Sequence, residues 1–306
     1  MAPAGPSGPS ERGKGIGFIG LGQIGSLMAG RLVDHPDGLV VCDLREEAMA
    51  PLVEKGATAV AAPAEVGAAC RVISVMVLDD AQTRDVVAGA GGLLETAVPG
   101  TVVALHSTIR SETAVELAAL AADQGVAVVD APVSGGFMGA AEGTLATMVG
   151  GDEDAVATCR PVFEHWAAMV VHLRPVGNGT KAKLARNMMH FVAYTAAGEA
   201  QRLADACGVD LTQLGAIVRH TDSVTGGPGA IMFRGSIDEL HPGDDFYDIL
   251  VHTRTLGEKD LSLALDLAAE VGVEAPLAQL ALRDFAASLG VPHRSDDRPD
   301  DAEEGA

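Results

Sequence analysis

The chain is poor in aromatic residues, cysteine and positive charge. Only 3% of its 306 residues are aromatic and one is tryptophan, so we expect a core made mainly of Ala, Val, Leu and Met. The four cysteines form no Cys-x-x-Cys pair, which argues against a zinc site or disulfide scaffold and favours free thiols in a reducing compartment. Lys and Arg number 21 against 42 acidic residues, and the net charge of −21 repels phosphate backbones and anionic membranes. We therefore expect neither a nucleic-acid nor a membrane partner.

Long apolar runs and targeting signals are also missing. No run approaches the roughly 18 apolar residues of a membrane span, and Arg71 and Arg186 interrupt the best candidates. The segment Met1–Gly13 has no apolar stretch of the kind found in signal peptides. No His/Cys/Asp/Glu cluster has metal-ligand spacing, so we predict no metal. The sequence predicts a cytoplasmic protein.

The first half of the chain alternates short β-branched runs with Ala-rich helical stretches. The runs are continuous rather than alternating in polarity, which is typical of strands buried on both faces of a parallel sheet. They are Ile16–Ile19, Leu39–Cys42, Val72–Val77, Thr101–Leu105 and Val126–Val129. Segments such as Ser111–Ala122 fit crossover helices, and the pattern predicts an α/β, doubly wound sheet of the Rossmann type.

The second half is predicted to be all helical. Thr180–Cys207 contains no proline and is apolar nearly all round, which predicts a long helix buried in a helical domain or an oligomer interface. Further helices are predicted at Leu211–Arg219, near Thr255–Val271 and at Ala275–Leu289. The predicted organisation is a disordered tail (1–13), a nucleotide-binding domain (14–174), an all-helical substrate and dimerisation domain (175–293) and an acidic disordered tail (294–306).

A glycine-rich loop, Gly20-Leu21-Gly22-Gln23-Ile24-Gly25, follows the first predicted strand and precedes a helical stretch. In that setting Gly20 permits a tight turn, Gly22 lets the backbone approach a pyrophosphate, and Gly25 lets the helix pack on the strand. The helix N-terminus offers N–H groups to the phosphates. The loop, with Gln23 and Ile24 inside it, predicts a dinucleotide site.

Asp43 ends the second predicted strand, 18 residues after Gly25. A carboxylate there accepts hydrogen bonds from the adenosine ribose and repels a 2′-phosphate, which favours NAD over NADP. Arg45 opposes this preference, because its guanidinium could reach a 2′-phosphate, so NADP stays possible. A simple strand-end turn is the alternative interpretation of Asp43.

Four motifs, in their order along the chain, resemble the β-hydroxyacid dehydrogenase family, which contains 3-hydroxyisobutyrate dehydrogenase and tartronate semialdehyde reductase. They are Gly20–Gly25, Asp130–Gly136, Gly177–Asn187 and Lys259–Leu261. The resemblance extends from about Ile16 to Leu289. It implies a Rossmann domain followed by a helical domain, assembled as a homodimer or homotetramer.

The resemblance also implies roles for particular residues. Lys183 matches the catalytic lysine and Asn187 the asparagine beside it. The segment that binds a substrate carboxylate is matched by Ser134, Gly135 and Gly136. Residues matching positions that contact the cofactor are Val77, Leu78, Thr108 and Lys259.

Two segments depart from the family pattern. Arg186 stands where the family often carries Asn, three residues after the catalytic lysine. The segment Asp244–Gly257, with His252 and Arg254, does not match the expected lining of the substrate pocket. Both departures bear on the identity of the substrate rather than on the type of reaction.

A polar stripe on the long helix supports these assignments from the residues alone. Lys183, Asn187, His190 and Tyr194 are spaced by 4, 3 and 4 residues and therefore share one helix face. Buried polar groups need partners, which a wet cleft or a ligand supplies. For His190 and Tyr194, a place in the core or in an interface explains the pattern equally well. Outside this helix, His106 is expected to have a structural role.

The resemblance implies an NAD(P)-dependent oxidoreductase that interconverts a small β-hydroxy carboxylic acid and its oxo acid or semialdehyde. Lys183 would be the acid/base, and we expect partial desolvation to lower its pKa toward the working pH. An imine reductase on the same scaffold and a non-catalytic dinucleotide-binding interaction module are the alternatives. Lys183 argues against both, because the first usually carries Asp or Tyr there and the second loses the lysine. The substrate's side chain is left open.

Overall fold

The computed structural model describes residues 15–206, 208–225, 234–270 and 275–293. The chain forms two units, Met1–Lys183 and Leu184–Ala306. The predicted tails, 1–13 and 294–306, lie outside the described residues. Within the described ranges, no helix combines the length and apolarity needed to cross a membrane.

The first unit contains a six-stranded sheet in which every pairing is parallel, as predicted. Its strands are β1 (Gly15–Ile19), β2 (Leu39–Cys42), β3 (Thr58–Ala59), β4 (Cys70–Val75), β5 (Val102–Leu105) and β6 (Ala127–Asp130). Their order across the sheet is β3-β2-β1-β4-β5-β6. All five predicted strands are confirmed, whereas β3, with two exposed residues, has no pattern that could predict it.

Helices cover both faces of this sheet. They are α1 (Gln23–Gly30), α2 (Glu46–Val53), α3 (Pro63–Ala69), α4 (Asp80–Ala88), α5 (Ser111–Ala122), α6 (Gly136–Glu142) and α7 (Glu153–Phe163), with a short 3-10 helix at Leu93–Glu95. Phe18 of β1 belongs to a cluster with Met28 of α1, and Ile73 of β4 belongs to another with Leu117 of α5. Burial on both faces is why the strands are continuous apolar runs.

A second, three-stranded sheet follows in the same unit. It consists of β7 (Val133–Ser134), β8 (Leu145–Val149) and β9 (Ala167–His172), with β7 antiparallel and β9 parallel to β8. The sequence analysis did not predict it. Strand β7 has two residues, and Met169 and Val171 of β9 are exposed, so neither strand forms a continuous buried run.

The buried core consists mainly of aliphatic side chains, as expected, but it also contains a cluster of aromatic rings that the composition did not indicate. Trp166, Phe18 and Phe163 are fully buried and surround the ring of His106. The ring centroids of His106 and Trp166 lie 5.5 Å apart, and those of Phe18 and Trp166 lie 6.2 Å apart. Because each aromatic ring buries a large apolar area, a few concentrated in one cluster matter more than their share of the composition suggests.

Helices make up the described secondary structure from Asn178 onward. They are α8 (Asn178–Ala206), α9 (Leu211–Thr225), α10 (Tyr247–Glu270) and α11 (Pro276–Leu289). The predicted helices are confirmed, although α10 begins at Tyr247 rather than near Thr255. On α8, the buried positions Leu184, Asn187, Phe191 and Thr195 recur every three or four residues. The helix is therefore buried along one face and not all round.

The buried carboxylate of Asp130, at the end of β6, holds the start of α8. Its Oδ1 accepts a hydrogen bond from the Gly177 N–H at 2.6 Å, and its Oδ2 accepts one from the Thr180 N–H at 2.5 Å. Burial raises the pKa of Asp130, although these N–H groups oppose the shift. The first turns of α8 thus belong with the first unit, which ends at Lys183.

Replacing Asp130 by alanine should destabilise the first unit. Asp130→Ala leaves the N–H groups of Gly177 and Thr180 buried without their acceptor, and an unsatisfied buried donor costs about 1–3 kcal/mol. We expect the free energy of unfolding to fall by about 2–5 kcal/mol. Trp166, the single tryptophan of the chain, is buried in this unit and reports its unfolding by fluorescence during a urea titration.

The matched control is Asp152→Ala, which removes an exposed carboxylate of the same unit that does not cap α7 through its side chain. Its effect should stay within about 0.5 kcal/mol, as for ordinary surface substitutions. Equal losses in the two variants, or no loss in Asp130→Ala, would show that Asp130 does not hold the start of α8.

Candidate active site

The predicted cofactor residues of the first unit lie where the parallel strands end. Gly20 follows β1, Asp43 follows β2, Val77 comes shortly after β4, and Thr108 comes shortly after β5. These strands are neighbours in the order β2-β1-β4-β5, so their carboxyl ends meet at one edge of the sheet. Between β1 and β4 the strand order reverses, which is where open α/β sheets bind ligands.

The three glycines of the loop have different surroundings. Gly20 has a φ of +91°, and a Cβ there would lie 2.2 Å from the carbonyl oxygen of Met76. A Cβ on Gly25 would lie 2.2 Å from the carbonyl oxygen of Gly20. A Cβ on Gly22 would meet no described atom within 4 Å, so protein packing does not explain this glycine. The open space beside Gly22 fits a close approach of phosphate to the backbone.

The N-terminus of α1 completes this cradle. Gly22 precedes the helix, and no side chain caps it among the described residues. Gln23 is exposed and Ile24 half-buried, so the first turn is accessible. Accessible N–H groups at a helix N-terminus suit a phosphate group, and the loop therefore fits a dinucleotide.

The Asp43 carboxylate is tied to the same loop. Its Oδ2 accepts a hydrogen bond from the Leu21 N–H at 2.6 Å, and its Oδ1 accepts from Arg45 N at 2.9 Å and Arg45 Nε at 3.2 Å. Burial acts to raise the pKa of Asp43, but these hydrogen bonds and the Arg45 charge outweigh it and hold the pKa below its usual value. The residue therefore presents a fixed negative charge at the end of β2.

Ser107 is a positioning residue that the sequence analysis missed. Its hydroxyl donates to the carbonyl oxygen of Val77 at 2.7 Å and accepts from the Val77 N–H at 2.9 Å. This pair of hydrogen bonds fixes the loop after β4, where Leu78 is 62% exposed. Ser107 stands directly before Thr108, which is half-buried in the structure and was the residue of the two that the resemblance assigned a role.

His106, the residue before Ser107, is structural, as expected. It is buried, with Nδ1 2.7 Å from the carbonyl oxygen of Ala131 and Nε2 3.0 Å from Ser74 Oγ. Because a carbonyl only accepts, Nδ1 carries the proton and Nε2 accepts from the Ser74 hydroxyl. Burial lowers the pKa of His106 to about 4, so the ring is uncharged near neutral pH.

Ser134, Gly135 and Gly136 form a turn between β7 and α6. Gly135 and Gly136 have φ values of +133° and +60°, in the region that favours glycine. Ser134 is half-buried, both glycines are exposed, and a Cβ on Gly136 would meet no described atom within 4 Å. Consecutive N–H groups in such a turn make a concavity suited to an anion. The segment lies on the small sheet, not at the end of a strand of the parallel sheet.

In the second unit, Asn187 is buried and its side-chain amide is held from both ends. Its Nδ2 donates to Asp260 Oδ2 at 2.5 Å, and its Oδ1 accepts from Arg186 Nη1 at 3.1 Å. Lys259 forms an ion pair with Asp260, with Nζ 3.3 Å from Oδ1. Asp260 thus connects two predicted site residues. The sequence analysis assigned it no role, although it stands beside Lys259 in the fourth motif.

Lys183 is half-buried on α8 and precedes Asn187 by one helical turn. Further along the stripe, the ring centroids of His190 and Tyr194 lie 5.4 Å apart, and those of Tyr194 and Phe285 lie 5.9 Å apart. Burial raises the pKa of Tyr194. The contacts of His190 and Tyr194 therefore agree with the interpretation that places them in the core.

Each half of the chain matches the model of a known protein family. Residues 15–174 match the model of the NAD binding domain of 6-phosphogluconate dehydrogenase. Residues 177–298 match the model described as NAD-binding of NADP-dependent 3-hydroxyisobutyrate dehydrogenase. The chain belongs to the β-hydroxyacid dehydrogenase family. It is an NAD(P)-dependent hydroxyacid dehydrogenase, and this assignment is favoured over an imine reductase or a non-catalytic module.

Individual relatives of this β-hydroxyacid dehydrogenase cover nearly its whole length. An uncharacterized oxidoreductase of Mycobacterium tuberculosis is 55% identical over 278 residues, 91% of this chain and 94% of the relative. The NAD-dependent L-serine dehydrogenase of Pseudomonas aeruginosa is 34% identical over 273 residues, 88% of this chain and 90% of the relative. The solved structure of Mycobacterium tuberculosis 3-hydroxyisobutyrate dehydrogenase with L-serine is 31% identical, with a TM-score of 0.73 and coverage of 92% and 96%. The predicted Rossmann sheet followed by helices is confirmed.

Proposed function

We propose that this β-hydroxyacid dehydrogenase interconverts a small β-hydroxy carboxylic acid and its oxo acid or semialdehyde, with NAD preferred. The observation that carries the proposal is the placement of Lys183 and Asn187 one turn apart on α8. The relatives named for L-serine and 3-hydroxyisobutyrate support the substrate class, since both compounds are small 3-hydroxy acids. When bound, the nicotinamide cofactor accepts or supplies the hydride.

In this proposal, Lys183 is the group that accepts and donates the proton of the substrate hydroxyl. Oxidation of the alcohol leaves a proton on the substrate oxygen, which Lys183 Nζ takes up, and reduction of the oxo acid returns it. The Asn187 amide nitrogen has two N–H groups. One donates to Asp260, and no further partner of this nitrogen lies among the described residues. The second N–H is therefore suited to donate to the substrate oxygen and orient it.

The substrate carboxylate would bind Ser134, Gly135 and Gly136. The Ser134 hydroxyl donates one hydrogen bond, and the N–H groups of the turn donate others. A β-hydroxy acid supplies a carboxylate of this kind.

The preference for NAD is proposed from Asp43. Its pKa lies below the usual value, so its charge persists across the working pH range and repels a 2′-phosphate. Arg45, the residue that favours NADP, is already paired with this carboxylate. Contacts to the remainder of the cofactor are proposed for Val77, Leu78, Thr108 and Lys259.

A homodimer or homotetramer remains part of the proposal. Apolar side chains that are exposed on the helices of the second unit support it: Met189, Ile217, Val224 and Ile249. The cytoplasmic location stays a prediction from the sequence.

Lys183→Ala should lower kcat with the best hydroxy acid by about 10²–10⁴-fold, which is the usual contribution of general acid–base catalysis. Lys183→Arg should be nearly as slow, because a guanidinium does not release its proton at ordinary pH. Affinity for NADH should be retained in both variants. Steady-state turnover on a panel of small hydroxy acids and a fluorescence titration with NADH measure the two quantities.

Lys181→Ala is the matched control, because Lys181 is exposed and lies two residues before Lys183 on the same helix. It should keep kcat within about threefold of the wild type, in line with a surface substitution. Lys183 would be excluded as acid/base if Lys183→Ala retained more than about a tenth of wild-type turnover.

Asp43→Asn should relax the cofactor preference, since it removes the negative charge while the amide oxygen still accepts from Leu21. We expect the ratio of kcat/KM with NAD to kcat/KM with NADP to fall by about 10- to 100-fold, mainly through better use of NADP. Asp34→Asn, at an exposed carboxylate nearby in the chain, should leave the ratio unchanged. A wild-type enzyme that already prefers NADP would contradict the assignment and favour Arg45.

A further inference from the structure

Arg186 lies in the first half of α8, beside Asn187, and has an unusual environment. Its Nη1 donates to Asn187 Oδ1 at 3.1 Å. The residue as a whole is exposed, yet burial around its guanidinium is sufficient to lower its pKa. The charged group is therefore partly desolvated beside Asn187.

Among the described residues, no carboxylate pairs with Arg186, and the ionisable group that acts on its pKa is the phenol of Tyr194. Three other arginines of the chain behave differently. Arg45, Arg84 and Arg283 form ion pairs with Asp43, Glu116 and Asp284 at 3.2, 2.9 and 2.7 Å. In a chain with 42 acidic residues and a net charge of −21, a partly desolvated guanidinium without an acid is a strong candidate for binding an external anion.

The position of Arg186 places this guanidinium near the proposed chemistry. It follows Lys183 by three residues and precedes Asn187 by one on α8, and residues three or four apart are neighbours on a helix. A guanidinium has five N–H donors in a planar fork that matches carboxylate, sulfonate and phosphate groups. One hydrogen bond to Asn187 leaves the other donors for an anion.

We propose that Arg186 is a specificity-determining residue that binds a second anionic group of the substrate. The inference rests on the proposed function, in which the substrate is a β-hydroxy acid whose carboxylate is the first anionic group. The enzyme then acts on hydroxy acids with two anionic groups. Local binding by Arg186 offsets the repulsion that the negative field of the protein exerts on a dianion.

The test uses two pairs of substrates that differ in the second carboxylate. Malate is 3-hydroxybutyrate with a carboxylate in place of the terminal methyl group, and 2-(hydroxymethyl)succinate extends the methyl of 3-hydroxyisobutyrate by a carboxylate. We expect the wild type to prefer the dianion in at least one pair by about 10-fold or more, as hydrogen bonds to charged groups allow. Arg186→Asn should reduce that preference by about 10- to 100-fold.

The ratio of kcat/KM values within a pair distinguishes binding of the second anionic group by Arg186 from an effect of Arg186 on the position of Asn187. Because Arg186 also contacts Asn187, its loss can lower turnover of every substrate, but a loss common to both members cancels in the ratio. Arg186→Lys keeps a charge without the planar fork and should retain an intermediate ratio. Lys181→Asn removes one positive charge about 140° away around α8 and should leave the ratio unchanged.

A binding measurement tests the proposal without turnover. With NADH present, malonate should bind the wild type more tightly than propionate in isothermal titration calorimetry, and Arg186→Asn should remove this difference. Sulfoacetate and phosphonoacetate, titrated in the same way, identify which second anion the site favours.

The proposal is overturned if the wild type shows no preference for either dianionic substrate, or if Arg186→Asn lowers both members of each pair equally. These outcomes leave the proposed function intact, since turnover of 3-hydroxybutyrate or 3-hydroxyisobutyrate still demonstrates it. Absence of turnover with every hydroxy acid, together with malonate binding that depends on Arg186, would instead contradict the proposed function and retain the anion site.

Discussion

The geometry of the candidate site depends on the buried carboxylate of Asp130. This group ends β6 and accepts the N–H groups of Gly177 and Thr180. The chain can approach so closely because Gly179 has no side chain, and a Cβ there would lie 2.3 Å from the carbonyl oxygen of Met148. The rise and rotation of a helix are fixed per residue. Fixing the first turn of α8 therefore also fixes the direction in which the Lys183 side chain projects from the helix.

In the second unit, a second buried carboxylate also holds neighbouring groups in place. Asp260 accepts from Asn187 and pairs with Lys259, so it fixes the amide that we propose to orient the substrate oxygen. Neither Asp130 nor Asp260 is proposed to react. Both are buried carboxylates that accept hydrogen bonds from distant parts of the chain, and both orient groups that we propose to take part in the reaction.

The sequence predicted those parts of the structure that local patterns determine. The five continuous strands, the long helix and the Gly20–Gly25 loop follow from burial on both sheet faces, from helix-forming composition and from backbone geometry. The small sheet was missed because β7 is too short, and β9 too exposed, to produce a buried run. The aromatic cluster around Trp166 was missed because composition does not reveal how residues are distributed.

The roles of Ser107, Asp130 and Asp260 could not be predicted because their partners are distant in the chain. Ser107 binds the backbone of Val77, 30 residues away, and Asp130 binds Gly177, 47 residues away. Asn187 and Asp260 are 73 residues apart. A motif identifies such a residue type, but only the folded chain shows which backbone group or side chain it holds.

Chemical rescue of Lys183→Ala tests the central claim most directly. Small primary amines of graded basicity are added to the variant with NAD and the best hydroxy acid, and NADH formation is followed by absorbance. If Lys183 transfers the proton, the amines restore turnover and the logarithm of the rescued rate rises with amine pKa, as in general base catalysis. Failure of every amine to restore turnover in a folded, NADH-binding variant would contradict the account.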